Sequence, residues 1–376
     1  MASSCLRRAG RASRSWPAQI ALGGVFLTLC VGAAPAGAQV ETLNVRQPTA
    51  VMVSALGTAA VWSSHRRGVG YVLVARVEGS TFRLPVAPRR RPFDVDLGRG
   101  PAGSLIAAYS RCAREPDGIS AEPGFPRYGD GRRCRLFVYD FARRRERRVR
   151  GLPGGPHSQF LPSVWGDRIA FAQVPRGGVR GITPVYLASG YSRRSPRVTR
   201  VGHGARGNPE LTPDLAAARP VAIDLQGKHV AFSWYVTPVR ACPRIPGTEG
   251  DLGLGTRTEI WVSRAGGRPR RLDLACARGT PGLVLGPAVK GNRVVFARRT
   301  PAPEPPGGPE VSGFTLTILS APTGRTVLAE TETIELLPEG PRILPVSVAI
   351  GEGVGYAGMS DGSVIAFSLS VPSPFG

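Results

Sequence analysis

One pattern of apolar and polar positions recurs along the chain. It starts with a glycine, continues through a few small or β-branched residues, and ends at an aromatic residue, five positions after the glycine in five of the six copies. The copies are Gly57–Trp62, Gly103–Tyr109, Gly166–Phe171, Gly227–Phe232, Gly291–Phe296 and Gly351–Tyr356. A repeat of roughly 45–65 residues is typical of propeller blades with loop insertions.

Apolar segments of strand length surround each copy. One precedes the glycine, as in Leu161–Trp165, the copy itself forms a second, and two more follow after turns, as in Val185–Ser189 and Arg197–Val201. Short apolar runs bounded by turn residues predict β-strands. Each repeat is therefore predicted to contain four strands, here called a to d from the axis outwards. The small residues in strand b fit a crowded interior.

The glycine and proline content supports an all-β fold. The chain has 49 glycines and 36 prolines among 376 residues, which favours many short strands over long helices. The sixth repeat ends after its third strand, Val364–Leu369, and Val40–Val45 is a spare strand near the N-terminus. We predict a six-bladed β-propeller of four-stranded antiparallel blades, in which Val40–Val45 supplies the outer strand of the last blade and protects its edge.

The repeats resemble the PD40-type, WD40-like repeats of TolB-like six-bladed β-propellers. The stretches that carry the resemblance are Gly166–Phe171 with Val185–Leu187 and Arg197–Thr199, and Gly227–Phe232 with Glu259–Val262 and Gly266–Leu272. The resemblance covers essentially residues 40–370 and implies the propeller fold. Because the repeats take up this length, we expect the chain to lack the N-terminal α/β domain of TolB.

The first 38 residues have the pattern of a secretory signal peptide. A basic stretch, Arg7–Arg14, precedes the apolar run Ile20–Ala34, and Ala36–Ala38 supplies small residues for cleavage. We predict a signal peptide at 1–38, a propeller domain at 39–376, and a secreted, periplasmic or other cell-envelope location. Without cleavage, residues 18–34 would act as a weak membrane anchor.

Four cysteines follow the predicted cleavage site. An even number in an exported chain suggests two disulfides. Three pairings are possible, and the repeat pattern favours Cys112–Cys134 and Cys242–Cys276, because each pair then lies within one blade. The first pair would close a loop of about 20 residues, worth about 3 kcal/mol. Free or differently paired cysteines are the alternative.

Propeller connectivity places the b–c and d–a connections on one face and the a–b and c–d turns on the other. The first face, here called the loop face, carries the long insertions 113–133, 175–184, 202–219, 236–258 and 299–313. Variable loops on a stable scaffold are a common arrangement for recognition. We predict a non-catalytic binding scaffold that recognises a protein or a cell-envelope component through the loop face.

Arginine is concentrated on the opposite face. The formal net charge is +23, and the densest runs fall at the predicted c–d turns of blades 2 to 4. This set, here called the arginine arc, contains Arg143, Arg144, Arg145, Arg147, Arg148, Arg193, Arg194, Arg268, Arg270 and Arg271. It would suit anionic lipid, a cell-wall polymer or an acidic partner, whereas export argues against nucleic acid. Solvated hairpin tips and GC-rich codon usage are the alternatives.

Recognisable catalytic motifs are missing from the sequence. It has no His-Glu-x-x-His, no phosphate-binding Gly-Lys-Ser/Thr loop and no Cys-x-x-Cys. We therefore assign no catalytic residue, no metal ligand and no cofactor. The alternatives are a lactonase-like hydrolase with a metal at the axis and a structural envelope protein held by the arginine arc; Asp167, Asp224 and Asp361 lie near strand starts or turns. Asp167 and Asp361 are expected to serve turn geometry.

Overall fold

The computed structural model of the protein describes residues 40–115, 131–152, 157–174, 181–202, 217–239, 255–264, 267–277, 283–301, 314–323, 329–336, 343 and 345–369. Every regular element in these ranges is a β-strand, so the predicted all-β class is confirmed. A search of the same ranges for a bilayer-spanning helix finds none. The predicted signal peptide lies outside the described residues.

The described strands follow the chain in sets of four. β1 (Val40–Asn44) comes first. Blade 1 contains β2 (Val53–Leu56), β3 (Ala59–Arg66), β4 (Gly70–Val77) and β5 (Ser80–Arg83), and blade 2 contains β6 (Asp96–Arg99), β7 (Leu105–Arg111), β8 (Arg135–Asp140) and β9 (Arg145–Arg148). Blade 3 contains β10 (Ser158–Trp165), β11 (Arg168–Val174), β13 (Val185–Ser189) and β14 (Arg197–Gly202), with the short β12 (Gly181–Ile182) between β11 and β13.

The remaining strands continue in the same way. Blade 4 contains β15 (Ala217–Gln226), β16 (His229–Val239), β17 (Gly255–Arg264) and β18 (Arg270–Ala277), and blade 5 contains β19 (Leu283–Lys290), β20 (Arg293–Pro301), β21 (Phe314–Pro322) and β22 (Ala329–Leu336). Blade 6 contains β23 (Pro345–Ile350), β24 (Val354–Met359) and β25 (Val364–Ser368), and takes its fourth strand from β1.

Strands within a blade pair antiparallel with their neighbours along the chain. A parallel bridge between Arg99 and Trp165 joins the inner strands of blades 2 and 3 into one eight-stranded sheet. The short β12 adds in parallel to β15 at the inner edge of blade 4. The described strands thus form six four-stranded antiparallel blades.

The recurring glycines form the a–b turns. Four of them have φ between 56° and 62°, namely Gly57, Gly166, Gly227 and Gly291. In blade 3, Trp165 pairs with Arg168, so the turn between strands a and b contains only two residues. Glycine is favoured in such a two-residue hairpin turn because it adopts a positive φ without steric cost.

The recurring aromatic residues form the core between blades. All six are at most 4% exposed: Trp62, Tyr109, Phe171, Phe232, Phe296 and Tyr356. The buried clusters cross blade boundaries, and one of them contains Trp62 of blade 1, Tyr109 of blade 2 and Tyr356 of blade 6. Burial of such large side chains drives adjacent blades together.

The N-terminal strand completes blade 6, as predicted. β1 pairs antiparallel with β25, from Val40 opposite Phe367 to Asn44 opposite Val364. The chain then crosses to blade 1, and the buried Gln47 binds both blades. Its backbone N–H and its side-chain amide donate to the backbone oxygens of Asp361 and Gly362 in blade 6, and the amide also contacts the backbone oxygen of Ser63 in blade 1.

Candidate functional site

The six a strands surround a central cavity. Each of β2, β6, β10, β15, β19 and β23 contacts the next a strand around the ring, and β23 contacts β2. The lining residues include Met52–Ala55, Asp94–Asp96, Leu161–Pro162, Val221–Asp224, Val284–Ala288 and Val346–Ala349. The cavity volume is about 60 Å³, well below the roughly 300–1,000 Å³ of typical small-molecule sites.

Side-chain hydrogen bonds connect neighbouring blades around this cavity. The six connections, in ring order, are Ser54 Oγ to Leu97 N (2.9 Å), Asp94 Oδ2 to Leu161 N (2.7 Å), Ser163 Oγ to Leu225 N (2.8 Å), Asp224 Oδ2 to Val289 N, Arg299 Nη1 to Pro345 O (2.8 Å) and Ser347 Oγ to Val53 N (3.2 Å). These hydrogen bonds, five from side chains on or beside the inner strands and one from Arg299 on β20, therefore join all six blades and satisfy backbone groups that would otherwise be buried without partners.

Both carboxylate oxygens of Asp94 accept hydrogen bonds. Its Oδ1 accepts a hydrogen bond of 2.8 Å from Ser110 N, and the Arg89 guanidinium lies 3.6 Å away. Burial raises the pKa of the Asp94 carboxyl, and the positive charge of Arg89 and the hydrogen bonds from Ser110 and Leu161 oppose that rise. These contacts give Asp94 a structural role.

Asp96 and Asp224 form an electrostatically interacting pair at the axis. Asp96 Oδ1 accepts a hydrogen bond of 2.6 Å from Ser54 Oγ, while its Oδ2 is buried and has no hydrogen-bond partner. Burial raises the pKa of Asp96, and the negative charge of Asp224 raises it further. Burial also raises the pKa of Asp224, against the opposing effects of the Val289 N–H and the Lys290 ammonium group.

This pair predicts a pH-dependent stability. Because folding raises the pKa of Asp96, the folded chain keeps a proton on this carboxyl at pH values at which the unfolded chain has already released it. The free energy of unfolding should therefore fall as the pH rises above about 4, the usual range of an aspartate. Asp96→Asn keeps the acceptor for Ser54 and removes the charge, so it should raise the free energy of unfolding at pH 7 by about 1–2 kcal/mol.

Denaturant unfolding of both proteins from pH 4 to pH 8 measures this effect. The difference in stability between Asp96→Asn and the natural chain should grow with pH across this range. Parallel stability curves would show that Asp96 does not titrate differently in the folded and unfolded states.

The two aspartates expected at turns do have turn roles. Asp361 Oδ1 accepts hydrogen bonds from Ser363 N (3.0 Å) and Ser363 Oγ (2.6 Å), and the backbone oxygen of Asp167 accepts from Gly190 N and Tyr191 N. Among the described residues, no group of three or more His, Cys, Asp or Glu side chains has the arrangement of a metal site.

A second cavity opens on the loop face, between blades 1 and 2. This groove, here called the arginine groove, has a volume of about 720 Å³. One wall is Pro88–Arg91 in the connection from blade 1 to blade 2, and the other is Ala113–Glu115 at the end of strand b in blade 2. Four arginines and one glutamate make the lining positively charged, unlike the axial cavity.

A disulfide anchors the second wall of the groove. Cys112 and Cys134 are bonded, with an S–S distance of 2.02 Å, and this is one of the two pairs that the repeats favour. Gly131 packs against the bond, because a Cβ at this position would lie only 2.5 Å from Cys112 Sγ. Cys242 lies outside the described residues, so the pair Cys242–Cys276 stays a prediction.

The arginine arc is divided between turns and strands: Arg143, Arg144, Arg193, Arg194 and Arg268 lie in c–d connections, whereas Arg145, Arg147 and Arg148 lie on β9, and Arg270 and Arg271 lie on β18. The arc makes several contacts with neighbouring strands and blades. Arg147 of blade 2 lies over the Tyr191 ring of blade 3, 5.2 Å from its centroid, and Arg270 of blade 4 donates hydrogen bonds to the backbone oxygens of Pro322 and Thr323 in blade 5. Arg271 lies 3.3 Å from Glu259. These arginines have structural roles, and a contact with an anionic surface stays a prediction.

Comparison with known proteins finds similar solved structures, all at low sequence identity. No family model matches the sequence, and a search of curated proteins finds no match. Similar solved structures include TolB from Acinetobacter baumannii (13% identity, TM-score 0.37, covering 87% of this chain and 64% of that one). They also include virginiamycin B lyase from Staphylococcus aureus (10%, 0.44, 88% and 99%) and the α-L-arabinofuranosidase Arb93A from Fusarium graminearum (9%, 0.47, 88% and 96%).

The strand order itself establishes the predicted β-propeller fold. This chain covers 64% of the length of the Acinetobacter baumannii TolB structure. The class that the fold defines is a β-propeller, and a fold alone does not determine an activity.

Proposed function

We propose that this protein is an exported, non-catalytic β-propeller that binds a protein or cell-envelope component through its loop face. The arginine groove carries this proposal. It is large enough to hold part of a partner, and its lining is charged. The axial cavity is small, and its polar side chains bond to the inner strands of neighbouring blades.

Two features support export. The segment 1–38 has the basic, apolar and small-residue pattern of a cleaved signal peptide. The disulfide between Cys112 and Cys134 is the kind of bond that forms and persists in oxidising compartments. The proposal therefore places the protein outside the cytoplasm, either released or held at the cell envelope.

Site-specific photo-crosslinking in the producing cell tests the proposal. A crosslinking residue is placed at Arg90 on the loop face or at Arg144 on the arginine arc. Both are exposed arginines, so the two variants make the same change of charge. We expect Arg90 to yield a defined, saturable adduct and Arg144 to yield none. An adduct from Arg144 alone would instead support the envelope protein held by the arginine arc.

Metal analysis tests the remaining alternative. Stoichiometric calcium retained by the purified protein after dialysis, and lost in Asp224→Asn, would favour the hydrolase with an axial metal over the binding protein. We expect calcium to be lost on dialysis from both proteins.

A further inference from the structure

The loop-face end of blade 1 carries exposed valines among exposed arginines. Val45, in the connection from β1 to blade 1, is 75% exposed, and Val69, in the b–c turn of blade 1, is 48% exposed. Val45 is the most exposed large apolar residue in the described part of the chain. The set, here called the blade 1 surface, contains Val45, Arg46, Arg66, Arg67, Val69 and Arg90, all of them exposed.

Hydrogen bonds fix the first part of this surface against the end of strand b. The side-chain oxygen of Gln47 accepts a hydrogen bond from the backbone N–H of His65. The Ser64 hydroxyl donates to Asn44 Oδ1 (3.3 Å), at the end of β1. The segment that carries Val45 therefore lies beside the b–c turn of blade 1.

The other side of the same turn is fixed to the connection between blades 1 and 2. Tyr71 N donates to the backbone oxygen of Arg89 (2.7 Å), and Arg89 N donates to the backbone oxygen of Tyr71 (2.9 Å). The turn itself is closed by a hydrogen bond of 3.0 Å from Val69 N to the backbone oxygen of Arg66. Arg90 follows directly after this pairing, so the three segments form one continuous surface.

The guanidinium groups of this surface are available to a ligand. Within the ranges that the structure describes, the side chains of its four arginines form no hydrogen bond, ion pair or ring contact. The neighbouring Arg89, by contrast, is buried and lies in ion pairs with Asp94 and Glu115. Four exposed arginines without paired carboxylates create a positive potential, which attracts anions.

The mixture of mobile cations and exposed valines favours a lipid bilayer over a folded protein. A protein interface depends on anchors fixed in packed pockets, and unheld arginine side chains lose entropy when they are ordered against fixed positions. The phosphates of a bilayer diffuse in its plane, so they can follow mobile guanidinium groups. Apolar side chains next to basic residues can also enter the headgroup region of the bilayer.

We propose that the blade 1 surface binds the anionic surface of a lipid bilayer. Its four arginines bind lipid phosphates, and its two valines enter the headgroup region. The inference rests on the proposed function and narrows it, because it names the component of the cell envelope that the loop face contacts.

Vesicle flotation with the purified protein tests the inference. Residues 1–38 are removed, because their apolar run would bind lipid by itself. The vesicles contain phosphatidylcholine alone or with about 30% phosphatidylglycerol, which is anionic. The test variant is Arg66→Ser with Arg67→Ser. The matched control is Arg193→Ser with Arg194→Ser, an adjacent exposed pair in a c–d turn on the opposite face.

We expect the anionic vesicles to bind at least about ten-fold more tightly than neutral ones, and about 1 M salt to abolish the difference. The test variant should bind anionic vesicles about ten-fold more weakly. The control should change binding by less than about three-fold, because its charges lie far from the bilayer and are screened. If the double variant fails to fold, Arg67→Ser is compared with Arg194→Ser, with the same expected direction.

A pair of valines separates insertion from simple charge attraction. Val69 and Val40 are 48% and 49% exposed, but Val40 lies at the opposite end of β1, away from the loop face. Val69→Ser should weaken binding to anionic vesicles by about five-fold, and Val40→Ser by less than about two-fold. Equal effects of the two substitutions would contradict insertion at the loop face.

Two further results would overturn the inference: equal binding of neutral and anionic vesicles, or equal losses in the two arginine pairs. Photo-crosslinking separates this failure from that of the proposed function. If the vesicles fail to bind while Arg90 still yields a protein adduct in the producing cell, the loop face binds a protein and only the lipid inference is lost.

Discussion

A chain that begins at Arg46, and so lacks β1, is expected to lose about 3 kcal/mol or more of its free energy of unfolding. β1 contributes the outer strand of blade 6, and its pairing with β25 spans Val40 to Asn44. Each lost backbone hydrogen bond costs about 0.5–1.5 kcal/mol. The deletion also exposes the edge of β25, beside the buried Phe367, which invites pairing with another chain.

Denaturant unfolding and size-exclusion chromatography measure both consequences. A chain that begins at Val40 is the control and should keep the elution volume and the stability of the longer chain. Gln47→Ala tests the same closure without removing a strand, because it breaks the contacts that join blade 6 to blade 1. If the deletion and the control unfold together, β1 is not part of the folded ring.

Gly98→Ala is expected to destabilise the protein by about 3 kcal/mol or more. Gly98 lies on β6, and a Cβ there would lie 1.7 Å from the backbone oxygen of Val164 on β10. A backbone oxygen in the neighbouring inner strand cannot rotate away as a side chain can. The substitution should therefore separate the strands at the Arg99–Trp165 bridge, where blades 2 and 3 join.

Gly103→Ala is the matched control for this effect. Gly103 has a φ of 77° in the a–b turn of the same blade, and nothing lies within 4 Å of a Cβ built there. The cost should be limited to about 1 kcal/mol for the strained backbone. Thermal and denaturant unfolding of the two variants compare these costs. A Gly98→Ala protein as stable as Gly103→Ala would contradict the close packing of β6 on β10.

The propeller itself could be predicted because its signals are local and repeated. The turn glycines need a positive φ, and the aromatic residues five positions later need burial, so both leave a fixed spacing in the sequence. Gly166 and Phe171 show it most clearly, and the structure gives them these two roles. The spare N-terminal strand followed from the same count, since the last repeat lacked an outer strand.

The axial aspartates of blade 2 were missed for a local reason. Ser54, Ser163 and Asp224 each lie three residues before a turn glycine. Each forms a hydrogen bond to the inner strand of the next blade, and for Ser54 the partner on that strand is Asp96. In blade 2 the a–b turn is longer, so Asp96 lies seven residues before Gly103. Aligning the a strands by their polar side chains, rather than by the glycine, would have found it.

The arginine groove could not be predicted from spacing at all. Arg89, Asp94, Ser110 and Glu115 are brought together by the packing of blade 1 against blade 2. Composition drew attention to the arginine runs at the c–d turns, yet members of that arc such as Arg147 and Arg270 bind neighbouring blades. The burial of an arginine and its bonding partners determine whether it is structural or accessible. Neither property can be read directly from the sequence.

Closure of the ring by the N-terminal strand is the central claim, and an engineered disulfide tests it most directly. Thr42 lies opposite Ile365 in the pairing of β1 with β25. The double variant Thr42→Cys with Ile365→Cys should form a bond within one chain, detected by peptide mapping, and should raise the unfolding temperature. The control Thr42→Cys with Phe82→Cys, on the outer strand of blade 1, should form none. No bond between positions 42 and 365, or a bond only between two chains, would contradict the closed propeller.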